Sequence, residues 1–142
     1  MPTEFSLHPQ LAKDCIAVGQ LPLCQLLMMN DTQYPWFILV PRRAAIREIH
    51  ELPPPDQQQL LAESSALGAA LMNAFAGEKL NLAALGNMVP QLHLHHIVRH
   101  SSDPAWPRPV WGAVPAVAMS ATEIQRRLAL VGSSPLLADL LG

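Results

Sequence analysis

Fourteen prolines in 142 residues, gathered between the apolar segments, cut this chain into short elements. Proline lacks a main-chain donor and fixes φ, so helix interiors and central strands exclude it. The stretches it leaves uninterrupted are the candidate elements. Leu21 to Met29 is apolar with few breaks and suits a buried strand. Trp36-Phe37-Ile38-Leu39-Val40 is a second, stopped by Pro41. Between them Asn30-Asp31-Thr32-Gln33 is turn chemistry, which makes the pair an antiparallel hairpin. Residues 8–18 read as a short helix or turn.

Pro53-Pro54-Pro55 forces an extended break, after which Asp56 is a fair N-cap and Gln57 to Phe75 the longest helix. Leu60, Leu67, Leu71 and Phe75 recur at helical spacing, with Leu61, Ala70 and Ala74 alongside. Ala66, Gly68, Ala69 and Ala70 are small enough for close packing on a sheet, and Gly77 suits a C-terminal stop. Leu80 to Leu85 is a third apolar stretch, Gly86-Asn87 a turn, and Val89 to Val98 a fourth strand. Ser120-Ala121-Thr122-Glu123 is a capping box opening a helix to about Val131, and Ser134-Pro135 starts a last helical turn. Strands, long helix, strands, helix is the order of an α+β fold with a mainly antiparallel sheet. We expect one domain over 1–142, with a helical extension over 120–142.

The balance of residues narrows the function classes. Half the chain is hydrophobic, enough for a core without metal or disulfide staples. Charged residues make up 14% and the net charge is -2, with no basic run beyond Arg42-Arg43 or Arg126-Arg127. That argues against long nucleic acid as a partner, while a small anion remains open because main-chain amides can hold it. Cys15 and Cys24 form neither a disulfide framework nor a CxxC ligand pair and read as buried thiols. Met1-Pro2-Thr3-Glu4 has no basic region with an apolar run behind it, and no apolar run approaches the roughly 20 residues that span a bilayer. The expectation is a cytoplasmic protein with no membrane partner.

Four of the six histidines fall between positions 93 and 100. Alternate residues of a strand share a face, so Gln91, His93 and His95 point one way and Leu92, Leu94 and His96 the other. A neutral imidazole can attack phosphorus, move a proton near pH 7 or bind a metal. The strand alone leaves these open, and it also allows His93 and His95 to be plain polar residues on an exposed face. For His96 and His100 a hydrogen-bonded structural role is favoured. Trp106 and Trp111 either anchor the proline-rich stretch after the histidines or line a cleft or a dimer interface.

Gln91-Leu92-His93-Leu94-His95-His96-Ile97 resembles the motif of the histidine triad family, His-φ-His-φ-His-φ-φ with φ apolar. His93 and His95 match the middle and last histidines, and Gln91 stands at the first. Asn81, Gly86-Asn87 and the hairpin ending in Pro41-Arg42 extend the likeness over roughly residues 5–111. The resemblance implies a purine nucleotide bound over the sheet and attacked at its α-phosphorus, through a nucleotidyl-histidine intermediate, by a hydrolase or nucleotidyltransferase. His93 would be the nucleophile, held in its tautomer by the main-chain carbonyl of residue 91. His95 would stabilise phosphate charge, and the Gln91 side chain would offer an amide to a phosphate oxygen. Asn87 and Asn81 would face the phosphate, and Asn30 or Asp31 the ribose. Apolar residues of the first strand and first helix would sandwich the base. The family also implies a homodimer and no cofactor. Trp36 stands where many members have a histidine, and Met88 where some place a phosphate-contacting serine. Two other readings compete: a non-catalytic nucleotide-binding module on the same fold, and a metal protein built on His93, His95 and His100.

Overall fold

A computed structural model describes residues 4–135, 137 and 138. Five strands, β1 (Cys15–Gln20), β2 (Cys24–Met29), β3 (Trp36–Pro41), β4 (Lys79–Ala83) and β5 (Leu94–Arg99), form one antiparallel sheet in the order β1-β2-β3-β5-β4. The helices are α1 (Pro9–Asp14), α2 (Pro54–Ala74) and α3 (Ala121–Gly132). This is the expected α+β class. The hairpin expected around Asn30-Asp31 is β2–β3, with Met28 opposite Phe37 and Leu26 opposite Leu39.

Several element boundaries differ from the sequence expectation. The segment read as a helix or turn over 8–18 is α1 followed directly by β1. This edge strand carries a register shift between Ala17 and Gly19, which blurs its alternation. Asp56 is not the N-cap of α2: Pro53 is, and Pro54 and Pro55 open the first turn, where a missing N–H costs nothing. The Asp56 carboxylate binds Arg43 instead. Leu61, placed beside the buried stripe, is 68% exposed. At the far end Ala76 takes φ 48, and Ala76 and Gly77 return hydrogen bonds to Asn73 and Met72. The left-handed stop is therefore Ala76, and Gly77 follows it. Gly77 is small for a packing reason, since a Cβ there would lie 2.6 Å from Val98 Cγ1. Ser120 caps α3 by accepting the Glu123 N–H, while the Glu123 carboxylate turns to Arg126 and Arg127. Residues 139–142 of the expected extension lie outside the described residues.

The sheet has two buried faces. Phe37, Leu39 and Val98 pack with Leu60, Leu67 and Leu71 of α2. A Cβ on Gly68 would meet Leu80 Cδ2 at 2.7 Å, so the small residues do bring helix and sheet close. On the opposite face Trp36, Ile38, Val40 and Ile97 pack with Leu11, Tyr34, Ala105 and Val110. Among the described residues no helix is long and apolar enough to cross a membrane.

Candidate active site

Strand pairing fixes the face on which each histidine lies. His95 is opposite Ile38 on β3 and Ala83 on β4, whereas His96 is opposite Phe37 and Leu82. His95 therefore belongs with Trp36 and Ile97, and His96 turns to α2. His93 lies just before β5, not within it: residues 89–93 are irregular, and the expected strand over Val89 to Val98 begins at Leu94. The approach is held by Leu92, whose N–H donates to the Ile46 carbonyl at 2.9 Å. Gly86, at φ 80, turns the preceding loop.

His93 and His95 meet edge to face with ring centroids 4.8 Å apart, both buried. They border a cavity of about 300 Å³ shared with Leu11, Asp14, Met29, Asn87 and Trp111. The hydrogen bonds assign both tautomers. His93 Nδ1 lies 2.7 Å from the Gln91 carbonyl oxygen, which can only accept, so Nδ1 carries the proton and the Nε2 lone pair is left for the cavity. Trp36 Nε1–H, which can only donate, lies 3.0 Å from His95 Nδ1. His95 therefore carries its proton on Nε2. Burial, then the neighbouring His93 and His96, holds its pKa down to about 3, so the ring is neutral at pH 7.

His96 and His100 make structural contacts. His96 donates from Nδ1 to the Leu94 carbonyl and accepts the Ser64 hydroxyl at Nε2, at 2.7 Å. Burial lowers its pKa to about 4. His100 Nε2 binds the Phe75 carbonyl at the end of α2, so His93, His95 and His100 do not converge as a metal set. Among the described residues no group of three metal-ligating side chains comes together.

Of the expected site residues, His93, His95 and Asn87 line the cavity and the others do not. The Gln91 amide is committed elsewhere: Oε1 accepts the His8 N–H and Nε2 donates to the Ser6 carbonyl, each at 2.9 Å. Asn30 Oδ1 accepts the Met119 N–H, and Asp31 Oδ1 accepts from the main chain and amide of Gln33. Both side chains thus brace the β2–β3 turn, which Arg127 also clamps through the carbonyls of Asp31, Thr32 and Tyr34. Asn81 Oδ1 accepts from Arg99. Sequence reasoning did not single out Leu11, Asp14 and Met29. The pairing of Cys15 with Met29 brings them to the cavity, and that pairing depends on β1, whose pattern is weak. Trp111 reaches the cavity and stacks edge-on to both Trp36 and His95, with centroids 5.7 and 5.0 Å away. Trp106 lies over Arg99 instead.

A family profile described as HIT domain matches residues 10–102. Three solved structures of histidine triad proteins superpose on the chain. One from Marinobacter aquaeolei is 54% identical, covering 96% of this chain and 98% of that one, with a TM-score of 0.92. One from Bradyrhizobium japonicum is 44% identical over 98% of this chain and 99% of that one, with a TM-score of 0.89. One from Sinorhizobium meliloti is 45% identical over 92% and 96%, again with a TM-score of 0.89. No curated protein matches the chain.

Proposed function

The chain belongs to the histidine triad family, and on that premise we propose that it cleaves purine nucleotide conjugates at the α-phosphate through a nucleotidyl-His93 intermediate. The observation that carries this reading is the pair of opposed tautomers. A bare Nε2 on His93 and an Nε2–H on His95 border one cavity, so a nucleophile and a hydrogen-bond donor stand side by side.

The His93 Nε2 lone pair attacks the α-phosphorus. The bond to the leaving group breaks, and its electron pair departs with that group. The ring becomes a phosphorylated imidazolium whose Nδ1–H stays on the Gln91 carbonyl, which stabilises the cation. Water then attacks phosphorus, the P–N pair returns to Nε2, and a proton passes to solvent. His95 Nε2–H donates to a non-bridging oxygen throughout, and the Asn87 amide adds a second donor. Leu11, Met29 and Trp111 offer apolar walls to the base.

Thermal shift and turnover together test the proposal. AMP or GMP at millimolar concentration raises the melting temperature of both wild type and His93→Ala, because a ligand selective for the folded state stabilises it. Turnover is confined to the wild type. A flat thermal shift with both nucleotides overturns nucleotide binding. Equal turnover by the two proteins overturns the covalent route, and binding without turnover in either leaves a non-catalytic module.

A further inference from the structure

The Trp36–His95 contact adds a constraint on the leaving group. Trp36 is buried, paired with Ile97 across the β3–β5 ladder, and held edge-on by Trp111 and Tyr34, so its indole cannot swing away without disturbing this core. An indole N–H is a donor and nothing else. The His95 Nδ1 that receives it has no room for a proton of its own, because two N–H groups would then face each other. His95 is thereby barred from the imidazolium form, and surrendering its Nε2 proton would leave an imidazolate. It can hold a hydrogen bond to phosphate, but it cannot hand a proton to a departing group.

The rest of the cavity does not replace that function. The Gln91 amide is engaged with Ser6 and His8. His93 is consumed as the nucleophile and keeps its Nδ1 proton on a carbonyl. Asp14 is the remaining titratable residue among the described ones lining the cavity, and its Oδ2 accepts the Gln10 amide. As an ionised carboxylate it accepts at both oxygens and has no proton to give a departing amine.

Building on the reading above, we infer that Trp36 is a positioning residue that locks His95 as a fixed Nε2–H donor, so the site takes nucleoside phosphoanhydrides in preference to phosphoramidates of aliphatic amines. The chemistry of the two leaving groups separates them. When Nε2 of His93 displaces a phosphate or nucleotide from an anhydride, the P–O electron pair leaves on a stable oxyanion and needs no proton. When it displaces an aliphatic amine, the P–N pair must be captured by a proton as the bond breaks, and general acid help of this kind is worth about 10²–10⁴-fold. Burial of His95 beside His93 and His96 acts in the same direction by disfavouring its cation.

The test compares adenosine and guanosine phosphoanhydrides with the phosphoramidates of a simple alkyl amine on wild type and Trp36→Phe. The variant keeps an aromatic ring and removes the N–H. Wild type favours the anhydride by roughly 10²-fold or more in kcat/KM, in line with the missing acid. In Trp36→Phe the freed Nδ1 can take a second proton as charge builds on the departing amine, and the preference narrows by up to about tenfold, a fraction of that acid help because burial still opposes the cation. A merely structural tryptophan would depress both substrates together and leave their ratio fixed. Long-range ¹H–¹⁵N correlation spectra add a reading that needs neither substrate nor variant. They show His95 of the wild type with Nδ1 bare and Nε2 protonated. Comparable turnover of both substrates by wild type, an unchanged ratio in the variant, or a protonated Nδ1 overturns this inference alone. A wild type inert to both substrates overturns the parent reading with it.

Discussion

Replacing Gln91 by alanine separates its side chain from its main chain. The side chain makes two hydrogen bonds that pin residues 6–8, and the main-chain carbonyl orients His93. Net contributions of about 0.5–1.5 kcal/mol per hydrogen bond, taken near the low end because one of the two is exposed, put the loss at about 1–2 kcal/mol. In a chain of this size each kcal/mol lowers the melting temperature by roughly 3 °C, so the expected drop is about 3–6 °C. The carbonyl survives the substitution, and kcat for an accepted nucleotide stays within about twofold of wild type, since no donor to the transition state has been removed. Gln91→His behaves likewise in stability, because an imidazole cannot both accept from His8 and donate to Ser6 at these positions. Differential scanning fluorimetry and steady-state kinetics on the alanine variant decide the matter. A fall in kcat of about 10²-fold or more with an unchanged melting temperature would mean that the amide touches phosphate, as one lost oxyanion donor does. The assignment of Gln91 as a clamp would then be wrong.

Other perturbations follow from the same geometry. His95 and His96 are neutral in the fold, with pKa values lowered to about 3 and about 4, yet titrate near 6.5 when unfolded. The unfolded chain therefore binds more protons between those limits. Stability is intact above about pH 6.5 and falls as pH drops toward 4, by up to about 2.7 kcal/mol per pH unit for two protons. His96→Gln roughly halves that slope in urea titrations run across this range, and an unchanged slope contradicts the burial of His96. Arg99→Met leaves Asp103, whose side chain is 4% exposed, without its partner at 2.8 Å. That costs about 3–5 kcal/mol, or roughly 10–15 °C in thermal unfolding, and a drop under 3 °C refutes it. For the homodimer that the family implies, the free edge of β4 beside exposed Leu61 and Leu82 is the surface we propose, with a second copy meeting it about a twofold axis. Leu61→Glu with Leu82→Glu then yields monomers in analytical ultracentrifugation. A wild type that sediments as a monomer refutes the proposed dimer, and a variant that stays dimeric refutes this surface.

The parts of the fold legible in the sequence are those where one physical signal dominates. β3 is buried along its whole length and stopped by a proline, and α2 is long and periodic. His93 and His95 were legible because their spacing and the family motif agree. β1 was hidden because an edge strand with a shifted register has no clean alternation, and with it went Asp14 and Met29 as cavity residues. Asn30, Asp31 and Gln91 show a different limit. Residue type marks them as ligands, but their amides and carboxylate are drawn into bracing contacts with residues 83 to 89 positions away, which no local pattern reports. The family motif marked Trp36 as a departure from a histidine, but its N–H contact with His95, 59 positions away, has no local signature.

A covalent nucleotidyl-His93 species can be trapped. Protein mixed with adenosine or guanosine phosphoanhydrides is quenched in denaturant at neutral pH, digested, and examined by mass spectrometry. One nucleoside monophosphate group is expected on the peptide that contains His93, located on that ring by fragmentation and missing from His93→Ala. Turnover in the wild type with the nucleotidyl group on His95, on another residue, or on none would contradict the covalent route through His93.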